Sequence, residues 1–86
     1  MINRKDNPIE WDGLLFGLEE MKEHIQSLID ELSEKGEMSE EEYQVDIGHL
    51  YAHLNRAWNT RNETDEYVDK HFQQLSQFPE DISPVG

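Results

Sequence analysis

Cysteine is absent from the 86-residue chain, so neither disulfides nor thiolate-bound metals are available to reinforce it. A metal here would have to be held by histidine and carboxylate. Long apolar runs are missing as well. The longest uninterrupted stretch of apolar residues and glycine, Gly13 to Leu18, is far shorter than a membrane span, and Arg4 and Lys5 near the N-terminus are not followed by an apolar segment of signal-peptide length. The expectation is a soluble, cytoplasmic protein with no membrane contact. Positive charge is scarce, with Lys+Arg 7 against Asp+Glu 20 and a net charge of −13. Such a chain repels nucleic-acid backbones and anionic surfaces, which excludes ordinary DNA or RNA binding and favours basic partners.

Also lacking are alternating β-branched runs, internal repeats, low-complexity tracts and linkers. The first absence excludes a sheet, and the others leave a single domain spanning residues 1–86. A chain of this length buries only about 60 to 65% of the surface its unfolded form exposes, so self-association is a natural expectation.

What remains is helical. Asn7-Pro8-Ile9-Glu10 combines a capping residue, a proline at the first helical position and a glutamate three residues after the cap. From Leu14 through Leu18, Met21, Ile25, Leu28 and Leu32 the apolar residues recur at steps of 4 and 3, widened by Leu15 and Ile29, while glutamates occupy the other side. This predicts an amphipathic helix over about residues 8–35, closed by Lys35-Gly36. Ser39-Glu40-Glu41-Glu42 repeats the start signal for a second helix over 39–61, carrying Tyr43, Ile47, Leu50, Leu54 and Ala57. The short connection forces an antiparallel hairpin. Residues 64–76 are either a third helix capped at Thr64 or Asp65, or a continuation of the second in which Arg61 pairs with Asp65; residues 77–86 form an extended tail. The predicted fold class is therefore all-α, a helical hairpin with a short C-terminal helical segment, pairing into a dimeric four-helix-type bundle.

Residues 47 to 62 stand apart because they contain no carboxylate, yet hold two of the three arginines, two of the four histidines and three asparagines. Projected at about 100° per residue, the stretch has three surfaces. Leu50, Leu54 and Ala57 form a core face shouldered by Tyr51 and Trp58. Along the whole second helix Glu42, Asp46, His49, His53, Arg56 and Thr60 line up as a titratable flank, and Gly48, Ala52, Asn55, Asn59 and Asn62 as an uncharged one. A helix side facing water normally carries Lys and Glu, so the uncharged flank predicts cover on more than one face, by the C-terminal segment or by a second copy. Gly13 and Gly17, one turn apart, either make room for an aromatic such as Trp11, Trp58 or Phe78 or mark a weakly formed first turn.

The functional reading is an interaction or scaffold protein whose contact surface comprises His49, His53, Asn55, Arg56, Trp58, Asn59, Arg61 and Asn62, with a homodimer as the expected assembly. Aromatics with Arg and Asn are the residue types enriched where interfaces gain their energy. The arginines can equally pair with the chain's own acids. The alternative is an acidic inhibitor or nucleic-acid mimic directed at a basic protein. No metal or cofactor is assigned. The one candidate ligand set is Asp46, His49 and His53, but the core stripe of the first helix offers no carboxylate to complete a di-iron set, and surface histidines at i,i+4 arise by chance. No enzyme is expected, because no Ser or Cys nucleophile accompanies the histidines and no glycine-rich phosphate loop exists.

Overall fold

The computed structural model describes all 86 residues, and the chain begins with a turn in which the Asp6 N–H donates to Asn3 Oδ1 at 2.8 Å. Asn7 then occupies the cap position of α1 (Pro8–Lys35) without a side-chain capping bond, Pro8 taking the first helical position where its missing N–H costs nothing. The helix stops at Gly36, whose φ of 68° lies in the left-handed region and whose N–H donates to the Leu32 carbonyl at 3.2 Å. After a short connection α2 (Glu40–Asn59) starts at Ser39, with Ser39 Oγ accepting the Glu42 N–H at 3.1 Å and three glutamates in the first turn facing the positive end of the helix dipole.

The helix boundaries downstream differ in detail from the sequence pattern. α2 ends at Asn59, not near residue 61, because the Thr60 hydroxyl and N–H both bond the Arg56 carbonyl and the Arg61 guanidinium takes the Trp58 carbonyl, closing the last turn. The chain breaks here and does not continue as one helix. Thr64 Oγ1 accepts the Tyr67 N–H at 3.3 Å to cap α3 (Asp65–Lys70). The segment expected as one helix over 64–76 is two, since His71 leaves helical geometry at φ −121°, ψ 26° before α4 (Phe72–Leu75). His71 stacks on Tyr67 with ring centroids 4.0 Å apart, and its Nδ1 lies 3.0 Å from the Tyr67 carbonyl. The tail from Gln77 has no regular secondary structure, but Pro79 within it is buried.

Two long helices pack together as an antiparallel hairpin, with α4 laid against α2. His24 meets His49 and His53 near the middle of the seam, and Gly17 shares a cleft with Ala57 and Thr60 further along. The enclosed apolar side chains are few: Ile2, Met21, Leu28 and Leu75, joined by the polar His53 and Asn55. Ile2 is held by a backbone bond from its N–H to the Arg61 carbonyl at 2.9 Å, which ties the N-terminus to the end of α2.

The hairpin buries only part of the apolar stripes that define its helices, Met21 and Leu28 being enclosed while most of the rest stays open. α1 turns Gly17, Met21, His24 and Leu28 toward α2, and α2 turns Asp46, Leu50, His53 and Ala57 toward α1. The stripes of both helices are rotated from that seam by about 60 to 80° in the same sense. In an antiparallel pair, equal rotation of both helices carries both stripes to the same side of the layer. Leu18, Ile25, Ile29 and Leu32 of α1 and Tyr43, Ile47, Tyr51 and Leu54 of α2 are accordingly 40 to 58% exposed.

Candidate functional site

The uncharged flank of α2 is covered by the chain's own C-terminal segment along its second half. Asn55 is nearly inaccessible and donates its amide to the Ser76 carbonyl at 3.1 Å. Asn59 donates to the carbonyls of Leu75 and Gln77 at 2.8 and 2.9 Å. Asparagine suits these positions because the end of α4 leaves carbonyls without helical partners, and a short amide on the neighbouring helix satisfies them. Gly48, in the first half of the same flank, remains exposed.

The arginines and Trp58 complete this strap. Arg56 donates to Ser76 Oγ at 2.8 Å and lies over the Phe72 ring at 4.5 Å. Arg61 lies over Trp58 at 3.7 Å and reaches Asp81 at 3.1 Å, while the Trp58 indole N–H donates to the same carboxylate at 2.9 Å. The Arg61–Asp65 pair, which a continuous second helix would have formed, is absent, and Arg61 makes this longer-range one. Hydrogen bonding from Trp58, with Arg61 adding to it, holds the Asp81 carboxyl below the usual carboxylate range. Of the sequence-predicted contact residues, Asn55, Arg56, Trp58, Asn59 and Arg61 are thus engaged within the chain, and Asn62 is exposed. Leu54, Trp58, Phe78 and Ile82 line an apolar cleft of 440 Å³ beside the strap, which opens toward the exposed stripe.

The histidines are brought together differently from the sequence expectation. His49 and His53 face each other with Nε2 atoms 3.1 Å apart, and the third partner is His24 of α1 and not Asp46. Asp46 sits one turn away, beside His24, His49 and Glu31 in a cleft of 90 Å³. The reason is geometric: Asp46 and His53 are two turns apart on one helix, while the hairpin brings His24 directly across from His49. Burial lowers the proton affinity of His53, reinforced by Arg56, His49 and His24 and opposed by Glu20. His24 went unread in the sequence because its partners lie on the other helix; the available signal was its place between Met21 and Leu28 on the side of α1 that faces α2.

Gly13 and Gly17 do not accommodate an aromatic ring. A Cβ at either position meets nothing within 4 Å, and the nearby space is a shallow cleft reached by Phe72. No helix is long and apolar enough to cross a membrane. No protein-family model, curated protein or solved structure matches this chain.

Proposed function

We propose that this protein acts by protein contact, pairing through the exposed apolar face of its hairpin with a second copy of itself to complete a four-helix bundle. The observation that carries the reading is that face: eight large apolar side chains on one side of a two-helix layer, each at least 40% exposed. Single exposed apolar residues are ordinary, but a contiguous stripe along two helices marks an interaction surface. Its centre on α2, Ile47, Tyr51 and Leu54, falls inside the carboxylate-free stretch.

Area and charge both favour a second copy as the occupant. The accessible surface of 6842 Å² exceeds by about 1,500 Å² what a compact monomer of this mass exposes. A standard interface removes about 800 Å² per partner, so one isologous contact takes up roughly half of that excess. The face is bordered on α1 by Lys22, Gln26 and Ser33 and on α2 by Gln44 and Gly48, with Glu40 beside Tyr43 and Ile47 at its end. A chain of net charge −13 can approach its copy along that side with the least repulsion. A basic partner would be recognised by several carboxylates around the face, whereas the cleft along Tyr43, Ile47 and Tyr51 holds one, Glu40.

Lysine substitution at Ile29 and Leu54 tests the reading. Both are at least half exposed, so the variants retain the helical spectrum of the parent while the self-associated species is lost. Lysine reduces the net negative charge, so loss of association could not be ascribed to added repulsion. A parent protein that is monomeric at high concentration, with its apolar face accessible to a hydrophobic dye, would overturn the proposal.

A further inference from the structure

Three of the chain's four histidines converge although they lie on two helices. His49 and His53 are one turn apart on α2 and His24 reaches the same point from α1, their nearest ring nitrogens all within 4.8 Å of one another. Ring centroids from His24 to His49 and His53 are 4.5 and 5.5 Å. A seam that needed only packing would hold aliphatic side chains here, as it does one turn to either side at Met21 and Leu28. The cluster is open to solvent at His49, and each imidazole carries two nitrogens that require partners. The facing Nε2 atoms of His49 and His53 share a single N–H proton, and an N–H on both would set two donors against each other. A cation at the convergence point replaces the shared proton and engages all three lone pairs.

We propose that His24, His49 and His53 bind one divalent transition-metal ion, of the class of Zn²⁺, which staples α1 to α2. Zinc–imidazole bonds of about 2.0–2.1 Å put neighbouring ligand nitrogens of a tetrahedral site about 3.4 Å apart. The 3.1 Å between His49 and His53 is close to this, and a ring movement of about 1 Å brings His24 into register. The fourth position opens on the small cleft beside Asp46 and Glu31, where water or a carboxylate completes the shell. Three neutral imidazoles leave the ion's charge uncompensated, and Glu20, which faces His53 across the hairpin, joins Asp46 and Glu31 in offsetting it. Arg56, whose guanidinium rests on Phe72 and Ser76, is the one cation on this flank and works against the ion's charge at His53. In a chain without cysteine and with so small a core, such a cross-link takes the place of a disulfide.

The site lies on the seam, turned away from the apolar face, so its test reads independently of the assembly. Full-length, tag-free, metal-stripped protein is titrated with ZnCl₂ by calorimetry while the histidine ring resonances are followed by NMR. The expected result is one ion per chain, with the rings of His24, His49 and His53 shifting together and that of His71 unmoved. His24→Gln weakens binding by at least about tenfold, and His71→Gln leaves it unchanged. No binding at large zinc excess would overturn the proposal. So would binding that shifts only His49 and His53, or that ignores His24→Gln, since either describes an exposed pair on one helix. The resonances of the unaltered protein decide between these outcomes even where a variant loses helicity.

Discussion

Asn55 carries more of the fold than its neighbours of the same type. It is 4% exposed and its amide donates to the Ser76 carbonyl, so Asn55→Ala removes a bond and strands a carbonyl in a poorly hydrated place. The expected loss is about 1–3 kcal/mol, read as a lower urea midpoint, whereas Asn62→Ala at an exposed position changes stability by no more than about 0.5 kcal/mol. Equal effects at the two positions would mean that the C-terminal segment does not cover α2. Asp81 makes a second test of the same strap. Its carboxyl is held below the ordinary range by the Trp58 indole and the Arg61 guanidinium, so the charged form belongs to the docked tail. The contribution of this group is present above the ordinary carboxylate value and lost as pH falls through the lowered folded value. Trp58 fluorescence should therefore change in that acid window in the parent, and Asp81→Asn, which cannot titrate, should lack that transition.

At the scale of elements, two glycines should answer to alanine with opposite signs. Gly36 closes α1 in the left-handed conformation, so Gly36→Ala costs about 1 kcal/mol or more. Gly17 lies inside α1 with nothing within 4 Å of a Cβ built on it, so Gly17→Ala stabilises the helix by about 0.5–1 kcal/mol. Thermal unfolding of both variants checks the pair, and a loss of stability at Gly17 would mean that some other surface approaches it closely. The start and stop of α1 and the start of α2 were legible because they rest on local chemistry: Pro8 at the first position, Gly36 at the end, Ser39 bonding back to Glu42. The division between α3 and α4 was not, since it comes from His71 stacking on Tyr67 and bonding its carbonyl, an alternative that spacing alone does not reveal. Cover of the uncharged flank, by the C-terminal segment or a second copy, was expected from its lack of charge; the C-terminal segment covers Asn55 and Asn59, while Gly48 and Asn62 stay exposed. The partners of Arg61 and His49 were missed, because Asp81 and His24 are adjacent only once the chain has folded.

The whole molecule is extended for its length, with dimensions of 46 × 29 × 25 Å and a radius of gyration of 14.9 Å, where a compact chain of this size would have about 12 Å. A two-helix layer with a strap at one end has one side left open, and that side carries the apolar stripes. The proposed pairing with a second copy would give those stripes a partner and supply the core that each hairpin lacks alone. Charge sets how such pairing responds to salt. Two chains of net charge −13 repel across the solvent, and raising ionic strength from about 0.02 M to about 0.5 M shortens the screening length from roughly 20 Å to roughly 4 Å. Self-association should tighten over that range, whereas a complex with a basic partner would loosen. Sedimentation equilibrium of the purified chain against salt is the most direct measurement of this account. A dimer that strengthens with salt and is abolished by Ile29→Lys together with Leu54→Lys is the predicted result; a monomer at every salt concentration would contradict it.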